Sequence, residues 1–141
     1  MSEGSNTPLV SVIIPHYGGE KIIRECLQSL QNISYNNLEI IVVDNNSTDN
    51  SADLIRNEFS YVNLIVSEYN RGFAGGCNFG SQHAKGSYLF ILNNDTIHEK
   101  HSITYLIEKM ESNNKISSIQ PKIKNYKQRD YFDYAGGSGG F

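Results

Sequence analysis

Residues 38–51 read LEIIVVDNNSTDNS, Leu38 to Ser51. Ile40–Val43 is an unbroken β-branched run, and it passes without transition into Asp44, Asn45, Asn46 and Ser47. A strand with one wet face alternates apolar and polar residues. A strand apolar on both sides is covered on both sides, which is the condition of a parallel sheet between helices. The run therefore predicts a buried strand over 38–44 that ends in a polar cluster.

Working outward, the same grammar repeats. LVSVIIP (9–15) is a short β-branched run stopped by Pro15, NLIVS (63–67) a third strand and YLFIL (88–92) a fourth. Between them, Ile22, Ile23, Cys26, Leu27 and Leu30 recur at helical spacing and predict a helix over 20–32. Ala52, Leu54, Ile55 and Phe59 mark a second helix, with Ser47 or Asp49 as its cap. Phe73, Ala74, Cys77 and Ala84 mark a third that tolerates Gly75, Gly76 and Gly80, and Ile103, Leu106, Ile107 and Met110 a fourth. ISSIQPKI (116–123) reads as a fifth, weaker strand, and beyond Asn125 no further core element is expected.

The order β-α-β-α-β-α-β-α-β predicts a mostly parallel α/β sheet with helices on both faces. Right-handed crossovers place every strand's C-terminal end on one edge, where such sheets bind ligands. Three clusters distant in sequence meet there: Pro15-His16-Tyr17, Asp44-Asn45-Asn46-Ser47 and Asn93-Asn94-Asp95.

Composition bounds the chemistry. The chain has 141 residues, 38% of them hydrophobic, and a formal net charge of -3, which argues against nucleic-acid binding through a broad basic surface. No apolar run is long enough to span a membrane, and the first residues lack a secretory signal pattern. Cys26 and Cys77 have no CxxC spacing and fall on apolar helix faces, so they read as buried free thiols in a reducing cytoplasm.

Each cluster has a structural and a functional reading. Asp44 caps the following turn, or it accepts hydrogen bonds from a nucleotide base or ribose. Asn93-Asn94-Asp95 is turn chemistry, or Asp95 holds Mg²⁺ or Mn²⁺ with diphosphate oxygens completing the shell. The glycines of NRGFAGGCN (70–78) allow close helix packing, or the helix start and Arg71 attract phosphate. The first turn, PHYGGEK, lacks the GxGxxG that a dinucleotide oxidoreductase requires, and no GxxxxGK[ST] loop occurs. HEKH (98–101) has the wrong spacing for HExxH, and His83 is placed on a solvated helix face; His16 alone of the histidines has a position that suggests a role, at the end of the first strand.

VSVIIPHYG, EIIVVDNNSTDNS, NRGFAGGCNFG, YLFILNNDT and DYAGG, in that order over about residues 9–141, resemble a family 2 glycosyltransferase of GT-A fold. NRGFAGGCNFG with LNNDT is most similar to the rhamnosyltransferase-like branch. The resemblance implies a nucleotide-diphosphate sugar donor, dTDP-rhamnose or a UDP-sugar, and a glycan or lipid-linked acceptor. By position, Pro15, His16 and Tyr17 would line the nucleotide pocket. Asp44 would bind the pyrimidine base with Asn46 nearby, and Arg71, Gly72 and Phe73 would border the nucleoside and phosphates. Asn93, Asn94 and Asp95 stand in for the DxD motif, with Asp95 as metal carboxylate; Asn93 replaces an aspartate found in many relatives.

The implied reaction is an inverting transfer assisted by Mg²⁺ or Mn²⁺. Its catalytic base is expected beyond Phe141, because Asp130 and Asp133 belong to an earlier segment. On this reading residues 1–8 are a flexible lead-in, 9–124 a donor-binding half-domain and 125–141 the start of a truncated acceptor-side segment. A cytoplasmic location, at the inner membrane face or away from it, and self-association through a truncated edge are compatible with it. The alternative is a non-catalytic nucleotide-binding or partner module of the same fold.

Overall fold

The structure, a computed structural model, describes residues 7–134. Four strands form one parallel sheet: β1 (Val10–His16), β2 (Leu38–Asp44), β3 (Asn63–Val66) and β4 (Tyr88–Ile91), in the order β3-β2-β1-β4. Helices α1 (Glu20–Gln31), α2 (Ser51–Glu58) and α3 (Gly72–Ser81) connect them. The chain divides into two compact units between Glu99 and Lys100. The second unit contains α4 (Ser102–Glu111), which buries Ile103 and Ile107, and a short antiparallel pair, β5 (Ile123–Lys124) with β6 (Phe132–Tyr134). Among the described residues, no helix is long and apolar enough to cross a membrane.

The strand order fixes where the helices lie. Two steps in one direction, β1 to β2 to β3, put α1 and α2 on one face by right-handed crossover; the return from β3 to β4 puts α3 on the other. The core bears this out. On one face Ile13, Ile41 and Val43 are fully buried against Ile65, Phe79 and Ala84. On the other, Val12, Ile14 and Val42 are 0% exposed. α1 buries Ile23, Cys26, Leu27 and Leu30, the i, i+3, i+4, i+7 stripe of an amphipathic helix. α3 is different: it approaches the sheet through glycines. A Cβ on Gly76 would lie 2.9 Å from Pro15 Cβ, and one on Gly80 would lie 2.6 Å from Ile13 Cγ2. Only a helix without side chains there sits so close.

Three expectations need correction. Residues 116–122 form no strand; Pro121 interrupts the run, its neighbours are mostly exposed, and only Ile123–Lys124 pair, with β6 rather than with the main sheet. Pro15 does not stop β1, which continues through His16. Pairing with β2 runs to His16–Asp44, whereas pairing with β4 ends at Ile13–Ile91. Pro15, which has no N–H to donate, thus lies where β4 has already parted from β1. Of the two cysteines, Cys26 is buried as expected, but Cys77 is only half-buried on α3.

Candidate functional site at the C-terminal edge of the sheet

The three polar clusters do meet at one edge. The β1–β2 register places His16 beside Asp44, and Asn45 N–H donates to the His16 carbonyl at 2.8 Å. From the β4 side, Asn94 Nδ2 lies 2.9 Å from His16 Nδ1. His16 is therefore the hub, tied along its backbone to β2 and through its ring to the turn after β4. It is 1% exposed, and among the described residues its Nε2 has no hydrogen-bond partner. Burial lowers its pKa, opposed by the nearby Asp44 and Asp49 carboxylates, so the ring is neutral at pH 7.

Asp44 is 2% exposed, and its Oδ1 accepts from both the backbone N–H and the hydroxyl of Ser47. Ser47 Oγ in turn accepts from Gly18 N–H at 2.9 Å, and Asp49 Oδ2 accepts from Gly19 N–H at 2.7 Å. Gly18 and Gly19 both take positive φ. The loops after β1 and β2 are thus laced into one wall. Asp49 also accepts from the Ser51 hydroxyl and backbone, and the Ser51 hydroxyl bond is the main cause of its lowered pKa. Neither Ser47 nor Asp49 caps α2, whose N-cap is Asn50 without a side-chain cap bond. Asp49 still serves the first N–H of α2, that of Ser51, with Oδ1 while Oδ2 reaches the neighbouring loop, and the Ser47 hydroxyl joins Asp44 to Gly18. Asn46, at φ 63, is the non-glycine residue with positive φ among those described, and it lies exposed at the rim.

The stretch leading into α3 completes the edge. Asn45, 3% exposed, holds it by a side-chain amide: Oδ1 accepts from Arg71 N–H at 3.4 Å and Nδ2 donates to the Gly72 carbonyl at 3.3 Å. The Arg71 guanidinium packs over the rings of Tyr69 (4.5 Å) and Phe79 (4.1 Å), and its Nε donates to Ser67 Oγ at 2.8 Å. Tyr17, Tyr69 and Phe73 are more than half exposed around the edge.

On the far side of β1, the Asn93-Asn94-Asp95 turn is exposed at Asn93 and Asp95 and half-buried at Asn94. Thr96 Oγ1 donates to the Asn93 carbonyl at 2.9 Å, and Cys26 Sγ on α1 lies 3.9 Å from the same oxygen. Burial raises the Cys26 pKa to about 11, so it stays a thiol. His98 packs edge-on against Phe90 and is pushed down to about 4 by burial.

As a metal site this edge offers little alone. Among the described residues no group of three or more His, Cys, Asp or Glu side chains converges. Asp95 is one exposed carboxylate beside two amides, which suits a hard divalent cation only when the ligand supplies further oxygens. Asp44 and Asp49 stand at the same edge, while Arg71 is engaged by aromatic rings. A bound diphosphate would need added positive charge, so the residues fit a Mg²⁺ or Mn²⁺ that is completed by the ligand.

Every residue expected at the site from sequence lies at or beside this edge: Pro15, His16, Tyr17, Asp44, Asn46, Arg71, Gly72, Phe73, Asn93, Asn94 and Asp95. Ser67 and Tyr69, which hold the Arg71 side chain, are absent from the sequence-based set, and Asn45, which holds the Arg71–Gly72 backbone, is in it only as a member of the Asp44–Ser47 cluster. Asn45 gave one signal, a polar residue directly after a fully buried strand.

Comparison with known proteins gives a consistent picture. The sequence profile described as "Glycosyl transferase family 2" matches residues 11–135. Glycosyltransferase GlyG of Streptococcus pneumoniae is 31% identical over 136 residues, covering 94% of this chain and 42% of that protein. Poly-beta-1,6-N-acetyl-D-glucosamine synthase of Staphylococcus epidermidis is 29% identical over 131 residues, 88% of this chain and 31% of the synthase. Among solved structures, S. aureus TarS (residues 1–349) in complex with UDP-GlcNAc superposes with a TM-score of 0.67 at 25% identity, over 83% of this chain and 38% of that one. The chain spans roughly a third to two fifths of the length of the curated relatives it matches.

Proposed function

The chain belongs to glycosyl transferase family 2, and on that premise we propose that it carries the donor-binding part of an inverting, metal-assisted glycosyltransferase. The donor we propose is a pyrimidine nucleoside diphosphate sugar, a UDP-sugar or dTDP-rhamnose, and the acceptor a glycan or lipid-linked sugar. The observation that carries this reading is the convergence of three polar loops at the sheet's carboxyl edge, with buried Asp44 and exposed Asp95 on opposite sides of β1. The TarS structure with UDP-GlcNAc supports the UDP-sugar form; the rhamnosyl form rests on NRGFAGGCNFG and LNNDT alone.

In this reading Asp44, whose carboxylate is already oriented by Ser47, takes the base, and Pro15, Tyr17 and Asn46 line the nucleoside side. Arg71, Gly72 and Phe73 border the nucleoside and phosphates. Asp95, with Asn93 and Asn94 beside it, would hold the Mg²⁺ or Mn²⁺ ion, which when bound offsets charge on the departing diphosphate. An acceptor hydroxyl attacks the anomeric carbon as the diphosphate leaves, and a carboxylate base takes the hydroxyl proton. None of the residues gathered here is that base, so the site binds donor and stabilises the leaving group.

Calorimetric titration with UDP and with dTDP, each with and without Mn²⁺, tests the proposal. Binding strengthened by Mn²⁺, with that increment lost in Asp95→Ala, supports it. A folded chain that binds neither nucleotide refutes it.

A further inference from the structure

His16 is 1% exposed at the end of β1, and what distinguishes it from buried Asp44 is the partner of its side chain. Its ring meets the side chain of Asn94, 78 residues away in sequence and in the middle of the turn that carries Asp95. The other contacts that hold this turn reach its backbone: Thr96 Oγ1 and Cys26 Sγ both address the Asn93 carbonyl. The His16 contact governs the Asn94 amide.

We infer that His16 is a positioning residue, which sets the orientation of the Asn94 amide and thereby presents its oxygen on the side of the turn shared with Asp95. The chemistry follows from the two ends of an amide. A neutral imidazole whose Nδ1 carries no proton accepts from the Asn94 NH₂, and Oδ1 must then point away from His16. A hard cation calls for an oxygen there, and the NH₂ group would repel it. Without His16, the amide has nothing to choose one end over the other. Nε2 has no partner among the described residues and so makes no competing bond: the ring is held in place by packing and by one directional bond. The inference rests on the donor-site reading for its consequence, though not for its geometry.

Two measurements test it. The first needs no ligand: the ¹⁵N shifts of the His16 ring should show an unprotonated Nδ1 and a protonated Nε2. A protonated Nδ1 overturns the inference, because Nδ1 then donates and the amide is turned the other way. The second is nucleotide titration. His16→Leu should lower the Mn²⁺-dependent gain in UDP affinity by about tenfold, the lower end for outer partners of metal sites. Any loss in metal-free UDP affinity should be smaller than this loss in the Mn²⁺-dependent gain. His16→Asn, which keeps an acceptor near the Nδ1 position, should recover most of the loss, and His16→Leu added to Asn94→Ala should cost nothing further. Equal loss with and without Mn²⁺ in a folded His16→Leu chain, or no recovery in His16→Asn, overturns the positioning role. If the unaltered chain binds no nucleotide, the donor-site reading fails, and the ring shifts still decide whether His16 orients Asn94.

Discussion

The contact between α3 and the sheet is tested by Gly80→Ala. The new methyl group falls 2.6 Å from Ile13 Cγ2 and 2.9 Å from Val43 Cγ2. Carbon atoms rest about 3.5–4.0 Å apart, so roughly 1 Å of separation has to be found. Neither neighbour can give it readily. Ile13 and Val43 are 0% exposed, lie in the two central strands and are β-branched, with few rotamers to retreat into. Overpacking of this kind costs about 1–3 kcal/mol, and two fixed neighbours place it near 3. Alanine returns about 1 kcal/mol through helix propensity, which leaves a net loss of about 2 kcal/mol. For a chain of this size that is a fall in Tm of roughly 6–10 °C, read by circular dichroism melting and checked by urea titration. If Tm is unchanged or rises, propensity has won and α3 does not lie as close to the sheet as described.

Other perturbations read the site itself. Gly76→Ala places a methyl 2.9 Å from Pro15 Cβ and 3.1 Å from Asn45 Nδ2; it should weaken UDP binding by roughly tenfold, about 1.4 kcal/mol, because Asn45 holds the Arg71–Gly72 backbone, and calorimetry reads it. Arg71→Lys keeps the charge but loses the planar stack on Tyr69 and Phe79 and the Nε bond to Ser67; a stability loss of about 1 kcal/mol is expected by urea titration. Acid should destabilise the chain early. His98 has its pKa lowered from 6.5 to about 4 by burial, and His16 is lowered as well. Stability is therefore full above pH 6.5 and is lost as pH falls toward 4, where the unfolded chain takes up protons that the folded one refuses. His98 alone accounts for roughly 3 kcal/mol, and His98→Gln should flatten Tm against pH across this window.

The main sheet was legible because its four strands are apolar on both faces and its helices keep a 3.6-residue stripe. The fifth strand misled because ISSIQPKI has apolar residues without the continuity of LEIIVVD, and Pro121 breaks what pairing it had. Pro15 misled in the opposite sense. A proline usually ends a central strand, but β4 leaves β1 after Ile13, and that depends on the register of a strand 78 residues later. The site edge was legible from topology alone, since each strand's polar end has to arrive there. The residues that hold it were not. Asn45 serves Arg71 and Gly72, 26 and 27 residues away, and Ser47 and Asp49 serve Gly18 and Gly19, 29 and 30 residues away. Such pairings follow from which loops are neighbours, and no local pattern encodes them.

β4 parts from β1 beyond Ile13, yet the turn that follows comes back to the tip of β1, where Asn94 meets His16. Asp44 ends β2 and Asp95 follows β4, with β1 between those two strands. A ligand that engages both acids therefore lies across the tip of β1, whereas one that meets a single acid uses only half of the edge.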